Sequence, residues 1–261
     1  MSLLRDVAEQ LRAAGVGSPQ ADARQLIEHV SGRRTPDPVL TAGQAATLRT
    51  LVDARCRRVP LQHLTGSAGF RYLDLEVGPG VFVPRPETEV LVDIALQTEF
   101  GTAVDLCTGS AAIALSLATE TGARVTGVEI DPLALQWARR NAGDRVELVH
   151  ADVCGADLSD LGPVDLVVSN PPYIPDAMVP RDVEVALHDP PIALFGGQDG
   201  LDVVRCVVKQ ALRLLRPGGR LLIEHGELQG AEVRALLGGF HEVRTWPDLT
   251  GRPRVSGGVR P

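Results

Sequence analysis

The sequence has little lysine, few aromatic residues and no closely spaced cysteines. Lys209 is the only lysine among 26 basic residues, and aromatic residues make up 3% of the chain. Hydrophobic residues still reach 44% and charged residues 23%, which is typical of a globular protein. A chain of 261 residues with this balance is long enough to bury a core, so the composition excludes disorder as its main state.

Membrane spans, metal clusters and disulfide scaffolds are not indicated either. The longest apolar stretch without charge, Leu106–Thr119, has 14 residues, fewer than the roughly 20 that cross a bilayer. Asp6 lies early in a start that has no apolar signal core, so we expect no secretory leader and no membrane association. No Cys-x-x-Cys pair occurs. We therefore expect a reduced, cytoplasmic protein without a metal site or disulfide scaffold.

The charge balance argues against bulk binding to nucleic acid. Net charge is −7 and the sequence pI is about 5.4. The part up to Phe70 carries a balance of +3 and the remainder −10, so the acidity belongs to the later part. A protein that coats nucleic acid needs an excess of positive charge. We expect no direct nucleic-acid partner.

The first part of the chain is predicted to be a small helical bundle followed by a hairpin. Ser18-Pro19 is a helix start, and Gly32 ends that helix. Alternation over Phe70–Val77, a Gly-Pro-Gly turn and Val81–Val83 together predict a linking β-hairpin. We expect a helical domain over 1–64, which is a candidate docking surface for a partner, a hairpin linker over 65–86 and a catalytic domain over 87–261.

From residue 87 the pattern alternates between helices and strands, which predicts an α/β fold with a parallel, Rossmann-like sheet. The expected strands are Thr102–Leu106, Arg124–Ile130, Val146–His150, Asp165–Ser169 and Arg220–Glu224. The expected helices are Glu87–Phe100, Ser110–Thr121, Pro132–Asn141, Leu201–Leu215 and Glu227–Leu237. Late strands near His241–Trp246 and Arg252–Val259 are expected to form an antiparallel edge.

The first of these strands ends in a turn that favours S-adenosylmethionine over a dinucleotide. Gly109 permits a tight turn and close approach of the backbone to a ligand at the following helix. The turn has one glycine and is not G-x-G-x-x-G. Asp105 would repel a pyrophosphate but attract the amino group of a methionine moiety. An ordinary strand–helix turn is the alternative for this segment taken alone.

The next two strand ends carry acids suited to the rest of that cofactor. Glu129 or Asp131 can accept hydrogen bonds from ribose hydroxyls, and we assign the ribose to Glu129. Asp131 precedes Pro132 and is assigned to cap the next helix. Asp152 can accept from the adenine amino group, with Val153 packed on the ring.

The fourth strand end, Ser169-Asn170-Pro171-Pro172-Tyr173, points to the chemistry. Two prolines fix φ twice and remove two backbone donors, and Asn170 before them is held extended. The resulting corner offers the Asn170 side-chain oxygen and the Pro171 carbonyl to a planar NH2 group, beside the Tyr173 ring. Such acceptors would hold a weakly nucleophilic nitrogen against a methyl sulfonium, which is catalysis by positioning.

These residues resemble a known family. Asn-Pro-Pro-Tyr is similar to the corner of methyltransferases that act on planar nitrogens. The segments Val83–Glu89 (Val-Pro-Arg-Pro-Glu-Thr-Glu) and Leu194–Asp202 (Leu-Phe-Gly-Gly-Gln-Asp-Gly-Leu-Asp) resemble the HemK/PrmC family, the release factor glutamine methyltransferases. The order of helical domain, hairpin and Rossmann-like class I methyltransferase domain agrees, and the resemblance covers nearly the whole chain.

The resemblance implies methyl transfer from S-adenosyl-L-methionine to the side-chain amide of the glutamine in the Gly-Gly-Gln loop of class 1 peptide chain release factors. It implies that the corner binds the glutamine amide. The cofactor would be held by Asp105, Cys107, Thr108, Gly109, Ser110, Ala111, Glu129, Asp152, Val153 and Asn170. The substrate pocket would be lined by Phe82, Arg85, Pro86, Asn170, Pro171, Pro172 and Tyr173, with Asn170, Pro171 and Tyr173 taking part in catalysis.

One departure from the family pattern concerns the cofactor turn. The family commonly has glycine where Cys107 and Ala111 stand here, which puts the affinity for the cofactor in question. The chain also contains Gly196-Gly197-Gln198. Methylation of the protein's own Gln198 is an alternative that we do not expect, because glycine pairs are common in loops.

Two alternatives of other classes remain open. An N6-adenine nucleic-acid methyltransferase would use the same corner on a flipped base. The acidic balance and the absence of a target-recognition domain count against it. A binding module with a decayed cofactor site is the second, and the retained acids Asp105, Glu129 and Asp152 count against it. We expect a monomer that acts on a protein.

Overall fold

A computed structural model of the chain describes residues 2–261. They form two compact units. The first comprises Met1–Ser67, of which Met1 lies outside the described residues, with Val77–Pro79 and Pro180–His188. The second comprises Ala68–Glu76, Gly80–Val179 and Asp189–Pro261. No helix within residues 2–261 is long and apolar enough to cross a membrane.

Helices and strands follow each other along the chain much as the pattern predicts. The helices are α1 (Leu3–Ala13), α2 (Pro19–Ser31), α3 (Ala42–Cys56), α4 (Leu61–Thr65), α5 (Glu89–Ala95), α6 (Ala112–Thr121), α7 (Pro132–Ala142), α8 (Val183–His188), α9 (Asp202–Leu214) and α10 (Gly230–Leu236). The strands are β1 (Ser67–Phe70), β2 (Leu73–Glu76), β3 (Thr102–Leu106), β4 (Arg124–Glu129), β5 (Val146–His150), β6 (Val164–Ser169), β7 (Leu215–Glu224), β8 (His241–Pro247) and β9 (Pro253–Val259).

The first unit is a helical bundle stabilised by apolar stripes and by the two ion pairs of a buried arginine. Its helices α1 to α4 bury a common set of side chains, Val7, Ala8, Leu11, Val16, Ala23, Leu26, Ile27, Leu48, Val52 and Leu61. Arg55 is buried, and its charge is compensated by Asp22 and by Glu184 of α8, each 2.7 Å from its guanidinium. The predicted end of α2 at Gly32 is confirmed, since this residue adopts the left-handed conformation that glycine favours.

The second unit contains a seven-stranded sheet in the order β5-β4-β3-β6-β7-β9-β8. Strands β3 to β7 pair in parallel, and β9 pairs antiparallel with both β7 and β8. The predicted Rossmann-like core and its antiparallel edge are therefore confirmed. Chain order reverses between β3 and β6, so the carboxyl ends of these two strands flank the switch point where ligands bind in such sheets.

The predicted hairpin is present, but its turn lies elsewhere. The two strands β1 and β2 are joined at Arg71 and Tyr72, and Val81–Val83 forms no strand. The alternating run that predicts a single strand from Phe70 to Val77 is thus interrupted. Arg71 adopts a φ of +52° at the turn, a conformation in which its guanidinium contacts Glu120 (2.6 Å) and Asp93 (2.6 Å). These ion pairs hold a turn that no glycine marks in the sequence.

The prediction that the cysteines are reduced is wrong for two of them. Cys154 and Cys206 form a disulfide, whereas Cys56 and Cys107 are free. The partners are 52 residues apart in sequence, yet their Cα atoms are 5.0 Å apart because α9 packs beside the loop after β5. Spacing along the chain could not reveal this pair, since only the tertiary fold brings it together.

Candidate active site

The turn after β3 leaves open space beside its glycine. Cys107, Gly109 and Ala111 adopt φ values of +65°, +58° and +66°. This left-handed region favours glycine, which explains why glycine suits the two positions that Cys107 and Ala111 occupy. A Cβ atom added at Gly109 would meet no other atom within 4 Å. The backbone therefore exposes a surface at Gly109 that a ligand can approach closely.

Asp105 at the end of β3 has one carboxylate oxygen free. The side chain is completely buried, and its Oδ2 accepts hydrogen bonds from the Thr108 hydroxyl (2.6 Å) and the Ala114 amide (3.2 Å). Oδ1 has no hydrogen-bond partner among residues 2–261. Burial raises the pKa of Asp105 to about 7. An orphaned buried oxygen of this kind is stabilised when a cationic group is placed against it.

Glu129 connects the ends of β3 and β4. Its carboxylate accepts hydrogen bonds from the backbone amides of Gly109 (2.8 Å), Ile130 (2.9 Å) and Asp131 (2.9 Å). Burial nevertheless raises the pKa of Glu129 above its ordinary value. Asp131 accepts from the Leu133 amide (2.8 Å), so its predicted capping of α7 is confirmed. Glu129 thus lies directly beside the open turn, and its assignment to a ribose stays a prediction.

The acid that follows β5 is exposed, unlike the buried acids Asp105 and Glu129. Asp152 is exposed, and its Oδ1 accepts from the Cys154 amide (2.8 Å) in a local turn. Val153 is buried in the apolar core. The Gln210 side chain of α9 donates to the Val153 carbonyl (2.9 Å), so this loop is anchored to α9 in addition to the disulfide. The assignments of Asp152 and Val153 to the adenine stay predictions.

The corner after β6 is anchored on both sides. Ser169 donates from its hydroxyl to the Leu106 carbonyl (2.6 Å) of the neighbouring β3. Pro171 and Pro172 are buried. Asn170 donates from its side-chain nitrogen to the Thr88 hydroxyl oxygen (3.3 Å). This bond leaves the side-chain oxygen of Asn170 as the atom available to a ligand.

The glycine-rich segment around Gly196 packs against the residues of this corner. The Gly196 amide donates to the Ile174 carbonyl (2.9 Å), and a Cβ at Gly196 would lie 2.5 Å from the Pro172 carbonyl oxygen. Gly197 adopts a φ of +90°. The two glycines before Gln198 therefore have a structural explanation in close packing and backbone conformation.

The segment that contains the predicted pocket residues Phe82, Arg85 and Pro86 reaches the same corner. The Arg85 guanidinium lies over the Phe82 ring, 5.4 Å from its centroid, and contacts Asp189 at 3.1 Å. Pro86 is exposed and begins a 3-10 turn that ends at Thr88. Through the bond between Thr88 and Asn170, the structure brings this segment and the corner together.

Sequence reasoning missed two buried residues at this corner, Thr88 and Glu224. Thr88 is the Asn170 partner just described, and Glu224 ends β7 beside β6. An acid at the end of the predicted strand Arg220–Glu224 is a sequence signal that could have made Glu224 a candidate, by the same logic that selected Asp105 and Glu129.

The fold resembles that of solved methyltransferases. A methyltransferase from Pyrococcus furiosus matches with a TM-score of 0.57 and 19% identity, covering 84% of this chain and 99% of that one. A Thermus thermophilus 16S rRNA N2 G1207 methyltransferase, solved with AdoMet and guanosine, matches with a TM-score of 0.54 and 21% identity, covering 75% of this chain and 50% of that one. At these identities the likeness shows the class I methyltransferase fold.

The family models and the curated relatives identify the family, whereas the solved structures show only the fold. The model of the PrmC N-terminal domain matches residues 2–66, and that of a methyltransferase domain matches residues 103–184. The release factor glutamine methyltransferase of Mycolicibacterium smegmatis is 49% identical, covering 94% of this chain and 92% of its own. That of Streptomyces coelicolor is 46% identical, covering 97% and 96%. The chain therefore belongs to the family of release factor glutamine methyltransferases.

Proposed function

We propose that this protein transfers a methyl group from S-adenosyl-L-methionine to the side-chain amide nitrogen of the glutamine in the Gly-Gly-Gln loop of class 1 peptide chain release factors. The observation that carries the proposal is the corner after β6. Its Asn170 is held by Thr88 with the amide oxygen available, in a chain whose relatives are release factor glutamine methyltransferases.

The residues at the carboxyl ends of β3 and β4 fit the cofactor. The free Oδ1 of buried Asp105 suits an amino cation, and the open space at Gly109 suits close approach of a ligand. Thr108, Ser110 and the turn residues around them would surround the methionine part. Glu129 would accept from the ribose hydroxyls, with Asp152 and Val153 at the adenine. When bound, S-adenosyl-L-methionine supplies the methyl group from its sulfonium.

The corner supplies the positioning that an amide nucleophile requires. The lone pair of an amide nitrogen is delocalised into the carbonyl, so the nitrogen is a weak nucleophile. Asn170 Oδ1 and the Pro171 carbonyl oxygen would each accept one hydrogen of the glutamine NH2 and hold the nitrogen in line for displacement. The transfer would form a carbon–nitrogen bond as the carbon–sulfur bond of the bound cofactor breaks, and the nitrogen would then lose one proton to water.

The pocket wall would come from Tyr173, Phe82, Arg85 and Pro86. Arg85 is already oriented by Asp189 and by the Phe82 ring. A pre-oriented side chain loses less conformational entropy when the release factor binds. We infer that the substrate is a protein and not a nucleic acid, since the net charge of −7 gives no general attraction to phosphates, and that the enzyme acts as a monomer.

Labelled S-adenosylmethionine tests the proposal. It is offered together with a release factor, with the same factor mutated in its Gly-Gly-Gln loop, or with DNA. We expect label only on the intact release factor. Label on DNA, or equal label on the loop mutant, would refute the proposal. Enzyme incubated with cofactor alone is expected to show an unmodified exposed Gln198 by mass spectrometry.

The variant Asn170→Ala tests the role of the corner. Removing one well-placed polar contact in such a site lowers turnover by about 10²–10³-fold. The affinity for S-adenosylmethionine, measured by calorimetry, is expected to stay largely intact. Gln198→Ala is the control, because Gln198 is an exposed loop residue and is not one of the proposed acceptors. An Asn170→Ala enzyme with near-normal turnover would remove Asn170 from its role.

A further inference from the structure

Asn141, near the end of α7, is a half-buried amide that the reaction described so far does not use. Its Oδ1 accepts a hydrogen bond from the backbone amide of Glu76 in β2 (2.7 Å). Its Nδ2 donates to the Glu76 carbonyl (3.0 Å) and to the Ser110 carbonyl (3.0 Å). Both hydrogens of the side-chain nitrogen are therefore used. A flipped amide would place its oxygen against two carbonyl oxygens, so the side chain has one favourable orientation.

The carbonyl of Ser110 receives its donor from this side chain. Ser110 is buried and lies in the turn after β3, just before α6. The Ala114 amide in the first turn of α6 donates to Asp105 (3.2 Å). A buried carbonyl without a donor is costly, because it has exchanged water for nothing. Asn141 therefore satisfies a buried acceptor in the turn that carries Gly109.

The same hydrogen bond restrains a strained residue of the turn. Ala111 adopts a φ of +66°, a left-handed conformation that is unfavourable for a residue with a Cβ atom. This angle describes the rotation of the peptide between Ser110 and Ala111, so a Ser110 carbonyl held by Asn141 resists a return to negative φ. Such conformations persist only where the surrounding structure determines them. Asn141 thus stabilises the turn in the conformation that leaves open space at Gly109.

We propose that Asn141 is a positioning residue that holds the Cys107–Ala111 turn in the conformation that binds S-adenosyl-L-methionine. The inference rests on the proposed function, in which this turn surrounds the methionine part of the cofactor. It goes beyond that function because it assigns the conformation of the turn to a side chain of α7 that is not among the proposed cofactor contacts. Since Asn141 also binds the backbone of Glu76, it links the hairpin to the cofactor turn.

The variants Asn141→Asp and Gln136→Glu form a matched pair. Both replace an amide of α7 by a carboxylate of nearly the same size, but Gln136 is exposed. The carboxylate at position 141 keeps an acceptor for the Glu76 amide and has no hydrogen for the Ser110 carbonyl. Calorimetry measures the Kd for S-adenosylmethionine. Methyl transfer at saturating labelled cofactor gives kcat and the KM for the release factor.

We expect Asn141→Asp to raise the Kd for S-adenosylmethionine by about 10–100-fold, the effect of leaving a buried polar group unsatisfied. The apparent Kd rises because only molecules whose turn keeps the binding conformation take up the cofactor. At saturating cofactor, kcat and the KM for the release factor are expected to change by less than about twofold. Gln136→Glu is expected to leave all three values unchanged. General unfolding would instead lower the amount of active enzyme without this split between Kd and kcat.

A second measurement uses the enzyme without any change at Asn141. The chain has two asparagines, Asn141 and Asn170, so ¹⁵N labelling of asparagine gives two side-chain NH2 groups in an NMR spectrum. The group that remains in Asn170→Ala belongs to Asn141. Coupling between a ligand and a conformation is reciprocal. S-adenosylmethionine is therefore expected to slow the exchange of the Asn141 side-chain hydrogens with water.

The outcomes separate this inference from the function on which it rests. A folded Asn141→Asp enzyme that binds S-adenosylmethionine as tightly as the unmodified enzyme overturns the role of Asn141 and leaves the function standing. Exchange at Asn141 that the cofactor does not change overturns that role as well, even if Asn141→Asp fails to fold. An unmodified enzyme that binds no S-adenosylmethionine overturns both.

Discussion

The buried carboxyl of Asp105 predicts a stability that depends on pH in a defined direction. Burial raises its pKa to about 7, although the Thr108 hydroxyl and the Ala114 amide favour the ionised form and oppose this rise. The unfolded chain has the ordinary value of about 3.9. Asp105→Asn removes the ionisation while keeping the size of the side chain and an oxygen that can accept the same two hydrogen bonds.

The sign follows from proton binding. Between pH 4 and 7 the folded protein keeps a proton that the unfolded chain has released, so unfolding releases it and folding becomes less favourable as pH rises. The contribution of Asp105 is fully present below about pH 4 and is lost as pH rises through about 7. The loss amounts to 1.36 kcal/mol per pH unit and levels off above the folded pKa of about 7. Between pH 5 and 8 the free energy of unfolding therefore falls by roughly 3 kcal/mol. The asparagine variant does not incur this loss.

Urea unfolding at several pH values measures the effect. We expect the stability of Asp105→Asn relative to the unmodified protein to increase by roughly 3 kcal/mol from pH 5 to 8. Asp144→Asn, at an exposed loop position, is the control and should show no such trend. Parallel stability curves for Asp105→Asn and the unmodified protein would refute the reasoning. The same variant is expected to bind S-adenosylmethionine more weakly at pH 8, because it offers no negative charge to the amino group.

Two further predictions concern exchanges between glycine and alanine, each with a matched control. Gly196→Ala is expected to cost about 1–3 kcal/mol and to lower turnover, because the added Cβ lies 2.5 Å from the Pro172 carbonyl oxygen. Gly43→Ala, in a helix with nothing within 4 Å, should instead stabilise by about 0.4–1 kcal/mol in the same urea assay. Ala111→Gly should change the free energy of unfolding by less than about 1 kcal/mol. Glycine adopts the left-handed φ of this position without strain, and this gain offsets the loss of the buried methyl group. Ala114→Gly, in the interior of α6, should cost about 2 kcal/mol, and equal losses at both alanines would contradict the strain argument.

Local patterns identified most of the sheet. The predicted bounds of β3 and β5 agree with the structure, and β4 and β6 differ from it by one residue. These strands are short apolar runs bounded by polar turns, so their own composition marks them. The predicted position of the hairpin turn was wrong, because polar and apolar residues continue to alternate across the actual turn at Arg71 and Tyr72. That turn depends on ion pairs from Arg71 to residues far along the chain.

The sequence by itself determined the chemical character of the candidate site. Two prolines after Asn170 constrain the backbone wherever they occur, and acids at strand ends meet at one edge of a parallel sheet. These are local or topological constraints, so Asp105, Glu129 and Asn170 could be predicted as candidate site residues from the sequence alone.

Only the tertiary structure decided what holds those groups in place. Thr88 is 82 residues from Asn170, and Glu224 ends β7, which follows α8 and α9 along the chain. Cys154 and Cys206 are 52 residues apart and meet only because α9 packs beside the loop after β5. Contacts of this kind depend on how segments that are distant in sequence pack together, and local sequence patterns do not specify that packing. The sequence therefore predicted Asn170 as a candidate acceptor for the substrate amide, and the fold revealed the buried Thr88 that contacts its side chain.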